Sequence, residues 1–260
     1  MFSNAPRCHY RRNPLGEVIC QFRFPEILTI RANLPVEFQE AIRDVYPQFL
    51  RKEENPAPKI TGTPGNLSLE NMPATVNYQF ASRDGFWRVN LTSRFISLSC
   101  SRYDHWEDFA QMLDKPLAAF IRIYKPGYFE RIGLRYLNFF SRSALELENV
   151  PFSQLISPCY LGILGEEDVN PTAASRSCVD GELVIRGGCR AKIHAGPGLI
   201  RQGGNEDKEV KFIFDQDLFM AGQVDPALIT GALQILHNQA YSIFRGAITE
   251  KLHYAMEPEA

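Results

Sequence analysis

Asp215 and Asp217 stand two residues apart. On an extended strand that spacing puts both carboxylates on one face, where such a pair can hold a divalent ion and activate water. The same Asp-x-Asp at a strand end also serves as a turn and capping device, so the metal reading is the weaker of the two. His9, His105, His194, His237 and His253 never fall at metal-ligand spacing with one another, and His237 reads as part of the solvated face of a helix. Six cysteines, at 8, 20, 100, 159, 178 and 189, lack the Cys-x-x-Cys pairing of a zinc site, and Cys20 and Cys100 sit inside apolar strand patterns as core residues. Gly196-x-Gly198 and Gly203-Gly204 lack the strand-loop-helix setting of a phosphate or dinucleotide loop, and no Ser-His-Asp order is present. No cofactor and no metal is implied.

Arginine and aromatic residues offer binding chemistry instead. In Ile132-Gly133-Leu134-Arg135-Tyr136-Leu137-Asn138, strand alternation puts Arg135 on one face with Gly133 and Leu137, and Tyr136 and Asn138 on the other with Ile132 and Leu134. An arginine among apolar neighbours must be paired, so Arg135 either meets a carboxylate such as Asp215 or Asp217 or opens onto a ligand groove. Trp87 and Arg88, with Arg23 and the other arginines of the first half, can stack on and neutralise nucleic acid, or act as anchors in a protein interface. Net charge is −2, which excludes a protein devoted to general phosphate-backbone binding. The charge is uneven: residues 1–142 carry 19 basic and 14 acidic side chains, a balance of +5, and residues 143–260 carry 9 and 16, a balance of −7.

These residues need elements to position them. Val18, Cys20, Phe22 and Phe24 alternate as a strand, and from Pro35 the spacing of Phe38, Ile42, Val45 and Phe49 predicts a helix. Residues 51–75 read as a long loop with one short strand at most. Val76 to Phe80 and Trp87 to Leu91 alternate around Arg83-Asp84-Gly85, a hairpin signal, and Phe95 to Cys100 adds a third strand. A helix follows, opened by a capping box at Asp104 and Glu107, with Trp106, Phe109, Leu113, Leu117, Phe120 and Tyr124 as its stripe. Pro116 is expected to kink or split it. The second half repeats the order: a strand from Phe129 to Phe140, a helical segment from Phe152 to Leu161, and a run at Glu166-Glu167-Asp168 with a polar loop to Ser177. Three strands within 182–214 follow, then a helix opened by Asp225-Pro226 and reaching His253.

Residues 1–125 and 126–260 therefore read as two α+β units, each strand, helix, three strands, helix, packed as one body. Joined edge to edge they make an extended antiparallel sheet backed by helices, in the order of elements of the duplicated saddle of TATA-binding-type folds. The alternative is a ferredoxin-like first half beside a separate C-terminal α+β half. A start without the apolar stretch of a signal peptide, and no run of about 18 apolar residues, predict a soluble cytoplasmic protein with no membrane partner.

The segment Gly133-Leu134-Arg135-Tyr136-Leu137-Asn138 resembles the Gly-Leu-Arg-Tyr-(Ile/Val)-Asn motif of a sporadically distributed family of uncharacterised bacterial and archaeal proteins, with Leu137 in place of the β-branched residue. Asn4-Ala5-Pro6, Val18 to Phe24, Asp84-Gly85-x-Trp87-x-Val89-x-Leu91-Thr92, Tyr103-x-x-Trp106-x-x-Phe109 and the terminal helix extend the likeness over most of the chain. The resemblance brings no catalytic or binding residue; the family's sporadic distribution implies mobile or defence-related genes. The expectation is a non-enzymatic binding or assembly module for a protein partner or a second copy of itself, with Arg23, Trp87, Arg88, Arg135, Tyr136 and Asn138 as its binding residues. A nucleic-acid-binding component using the basic first half stands second. A metal-dependent hydrolase or nuclease using Asp215 and Asp217 stands third.

Overall fold

Period-two alternation of large apolar with polar residues carries much of the chain into one sheet. The computed structural model describes residues 1–259 apart from 55–58, 64–65, 71–73, 167, 170–176 and 203–204. Gly203-Gly204, Glu167, most of the polar loop before Ser177 and parts of the loop expected over 51–75 lie outside the described residues; the described part of the latter is no plain loop, since Lys59–Thr63 pairs antiparallel with Asn66–Glu70. In chain order the strands of the large sheet are β1 (Leu15–Arg23), β2 (Gln48–Glu54), β3 (Thr75–Ala81), β4 (Trp87–Leu91), β5 (Phe95–Cys100), β6 (Phe129–Phe140), β7 (Val179–Val184), β8 (Arg190–Gly198) and β9 (Lys211–Val224). They lie side by side as β7-β8-β9-β6-β1-β5-β4-β3-β2, and every neighbouring pair is antiparallel. The fold is thus mixed α+β, with a large antiparallel sheet and a few helices.

The helices are α1 (Leu28–Ala32), α2 (Val36–Ile42), α3 (Trp106–Tyr124), α4 (Ile229–Ala247) and α5 (Glu250–Ala255). Aromatic contacts place α2, α3 and α4 on one face of the sheet: Phe38 meets Phe80, Phe109 meets Trp87, Phe120 meets Phe24 at 4.7 Å between ring centres, and Phe244 meets Phe140. Short 3-10 turns around Phe152 and Tyr160 pack on Phe212 and Phe214 from the same side. This face carries Val18, Cys20 and Phe22 of β1, Ile132 and Leu134 of β6 and Phe212, Phe214 and Leu218 of β9, all buried. The opposite face carries Arg23, Arg88, Arg135, Arg190 and Lys192, all exposed. No helix long and apolar enough to cross a membrane occurs among the described residues.

Several elements differ from the sequence reading. The helix from Pro35 stops at Ile42, and Phe49 belongs to β2, which pairs with β3 from Gln48 opposite Ala81 to Glu54 opposite Thr75. Pro116 neither kinks α3 apart nor ends it: the helix runs through 106–124, and the ring is buried with Leu113 and Leu117 over Phe22, Val89 and Leu98. Burial of the ring offsets the missing backbone bond. Asp104 does not cap α3; His105 occupies that position without a side-chain bond. Asp225 does cap, accepting from the Ala227 amide at 2.8 Å. The segment expected as a helix over 152–161 forms 3-10 turns, and α4 ends at Ala247 because Ile248 bridges to Ile156; Thr249 then caps α5. Residues 6–10 are also tied down. His9 and Tyr10 pair with Glu259 and Pro258, and the Tyr241 hydroxyl donates to the Pro6 carbonyl.

Candidate functional site

Strand β6 distributes its polar residues to two places. Arg131, Gly133 and Arg135 point to the open face, whereas Tyr136 and Asn138 point into the layer under the helices, Tyr136 5% and Asn138 1% exposed.

On the open face, β9 supplies the counter-charges. The Arg135 guanidinium donates through Nε and Nη2 to the two oxygens of Asp215 at 2.7 and 2.5 Å, a bidentate pair that raises the arginine pKa further. Arg131 is opposite Ala221 yet reaches Asp217, which is opposite Arg135, so its side chain lies along the strand. Nη2 sits 2.6 and 2.7 Å from the two Asp217 oxygens, and the guanidinium lies 4.4 Å from the centre of the Phe219 ring. Gly133 makes this path free: a Cβ there would stand 2.2 Å from Arg131 Nη1. Further out, Glu182 holds Arg190 and Lys192, and Asp180 meets His194 at 2.6 Å. Both carboxylates that the sequence offers to a metal are therefore engaged by guanidinium groups. A different set could hold a cation: ligand atoms of Cys178, Asp180 and His194 lie within 4.8 Å of one another. Pairing of β7 with β8 sets His194 opposite Asp180, a proximity that sequence spacing does not reveal.

The remaining binding candidates are scattered. Arg88 shares a transverse row with Arg135, through Ser99 and Ile19, but stands three strands away, on the order of 14 Å. Arg23 ends β1 opposite Arg131. Trp87 turns to the helix side, 5.8 Å from Phe109.

Beneath the helices Tyr136 and Asn138 join residues that the sequence reading passed over. Gln216 stands opposite Tyr136 on β9 and is 2% exposed. His237 of α4, far from being solvated, is 7% exposed and stacked on Trp106 at 4.3 Å between ring centres. Tyr136 Oη lies 2.6 Å from His237 Nδ1, and Asn138 Nδ2 donates to the Phe214 carbonyl at 3.1 Å. These groups line a cavity of about 130 Å³, bordered by Arg7 and Tyr10 of the N-terminal segment. Arg7 is anchored there by Asn238 of α4. Two polar atoms at this place have no protein partner, Gln216 Oε1 and His237 Nε2. Leaving such a buried group unpaired costs about 1–3 kcal/mol, so the sheet's core layer is polar here at the expense of stability. Burial, reinforced by the Arg7 charge, pushes the His237 pKa down to about 3, and burial raises that of Tyr136 well above its ordinary value. The cavity therefore presents neutral hydrogen-bonding groups and aromatic walls. Neither group changes its protonation state near neutral pH.

No protein-family model matches the chain, and no curated protein matches it. The resemblance carried by residues 133–138 thus rests on those residues and the stretches named with them.

Two outcomes follow from the geometry. Gly133→Ala is expected to displace Arg131 from Asp217 and to destabilise by about 1–2 kcal/mol in urea unfolding. In an Arg131→Met background the same change should cost far less; equal costs in both backgrounds would show that the glycine acts otherwise. His237 is neutral in the folded protein but takes a proton in the unfolded chain below about pH 6.5. Its contribution to stability is complete above that pH and is lost as pH falls towards 3. Stability of the native protein should fall with an added slope of up to about 1.4 kcal/mol per pH unit between pH 6 and 4, and His237→Phe should remove that increment.

Proposed function

We propose that the chain is a non-enzymatic binding and assembly module whose working surface is the open sheet face, engaging a protein partner or a second copy of itself. The observation that carries the reading is the state of the charges on that face. On strands β6 to β9, Arg131 and Arg135 are each matched by an aspartate of β9, and Arg190 and Lys192 share Glu182 of β7. Where its charges close on themselves the face can be covered by a partner without leaving an ion unpaired, and Arg23 and Arg88 in the other half remain to meet a carboxylate of that partner. A metal-dependent hydrolase is supported less well, because Asp215 and Asp217 would have to release their arginines to take an ion.

The proposal takes residues 1–125 and 126–260 as related units of a saddle-like platform. Strand order supports this. Outward from the central β1–β6 pair, each side runs from its first strand to its last, β5 or β9, and then back through the meander, and a long helix follows the last strand in each half. One observation favours nucleic acid as a second reading. Arg23 and Arg88 lie on the open face of the basic half and have no ion-pair partner among the described residues.

Mass photometry of the native protein, alone and with proteins captured from its own cells, tests the proposal. A defined dimer or complex is expected, weakened at least about tenfold by Arg23→Glu with Arg88→Glu, which break no ion pair. A bare monomer at every concentration, or complexes indifferent to the double variant, would contradict it. Oligonucleotide binding that weakens steeply with salt and is lost in the same variant would move the reading to nucleic acid.

A further inference from the structure

The cavity between the sheet and α4 supports an inference independent of how the open face is used. Its two unpartnered atoms have definite characters. Gln216 Oε1, on a side chain 2% exposed, is an acceptor only. The character of His237 Nε2 is set by the other ring nitrogen. Tyr136 Oη lies 2.6 Å from Nδ1; of the two groups the phenol is much the stronger acid and the ring nitrogen the stronger base, so the hydroxyl donates and Nδ1 accepts. The neutral ring then carries its proton on Nε2, as an unpaired donor. One donor and one acceptor left open around a single small cavity are the complement of a cis amide, whose N–H and C=O lie side by side.

The surroundings narrow the ligand further. Tyr10, Tyr103, Trp106 and Phe244 give the cavity aromatic walls, suited to a flat molecule. A volume of about 130 Å³ is close to that of a cavity known to hold one benzene ring. Arg7 stands at the rim, and its charge is felt by both His237 and Tyr136, which favours a carbonyl oxygen inside and disfavours a cation.

We propose that this cavity is a binding site for a small, flat, uncharged ring with a lactam edge, its N–H donating to Gln216 Oε1 and its carbonyl accepting from His237 Nε2. Tyr136 fixes the donor by holding the imidazole tautomer. Asn138 braces the floor through its bond to the Phe214 carbonyl.

Calorimetric titration of the full chain with 2-pyridone and with uracil tests the assignment. Benzene, benzoate and 1-methyl-2-pyridone, which lacks the N–H, serve as comparisons of similar size. Saturable one-to-one binding of at least one lactam is expected, about tenfold or more tighter than any of the three comparisons. Gln216→Met should weaken it by a similar factor while leaving circular dichroism unchanged, and His237→Phe should do the same. Should either variant fail to fold, the comparison of 2-pyridone with its N-methyl form on the native protein still decides. Failure of both lactams to saturate the site overturns the proposal. So does equal or tighter binding of benzene, benzoate or 1-methyl-2-pyridone, or a well-folded Gln216→Met protein with undiminished affinity.

Discussion

The antiparallel pairing of β1 with β6 is the constraint from which the rest of the structure follows. It joins the strands of residues 1–125 to those of residues 126–260, and no other pairing in the large sheet does so. Its register, Val18 opposite Tyr136 and Ile19 opposite Arg135, decides which residues of β6 meet the helices and which meet the open face. A slip of one residue would send Arg135 into the layer under α4 and Tyr136 out of it. The apolar residues Val18, Cys20, Phe22, Ile132 and Leu134, all 0% exposed, hold the register by the burial they would otherwise lose.

Two opposite electrostatic solutions coexist on the two sides of that strand. On the open face full charges are present and are satisfied across strands, with Gly133 clearing the path by which Arg131 reaches Asp217. On the covered face β6 and β9 present neutral polar groups beside the cavity, and Gln216 Oε1 and His237 Nε2 there have no partner among the described residues. The first arrangement stabilises a flat surface that water or a partner can cover. The second keeps a small cavity polar, which a protein selected for stability alone would fill with leucine or phenylalanine. Residues 133–138 supply both, and their alternation explains why glycine, arginine, tyrosine and asparagine share one short stretch.

Much of the fold was legible because its signals are local. Alternation marked β1, β4 and β5, Gly85 at φ 77° marked the hairpin, and the Asp225-Pro226 pair marked the start of the last helical region. Alternation also placed Arg135 apart from Tyr136 and named Asp215 as one of two partners. What escaped has no local signature. Strand β2 is an exposed edge, Gln48 to Glu53 all exposed, so neither face of it is hydrophobic enough to alternate visibly. His237 is followed by the polar Asn238 and Gln239, and Trp106 and Tyr136, 131 and 101 positions earlier in the chain, pack against it. The place of Arg7 at the cavity depends on a contact more than 230 positions away, with Asn238. Pro116 misled in the opposite direction: the rule that it breaks a helix is sound, but its ring is buried against the sheet and the helix persists.

Register at the β1–β6 pair is directly measurable by nuclear magnetic resonance. In an antiparallel pair the close Hα–Hα contacts alternate, falling either on Val18–Tyr136, Cys20–Leu134 and Phe22–Ile132 or on Ile19–Arg135, Gln21–Gly133 and Arg23–Arg131. One of these two series is predicted. Contacts offset by a single residue, such as Cys20 with Arg135, or none between the two strands, would contradict the division of the arginines from the cavity on which the whole account stands.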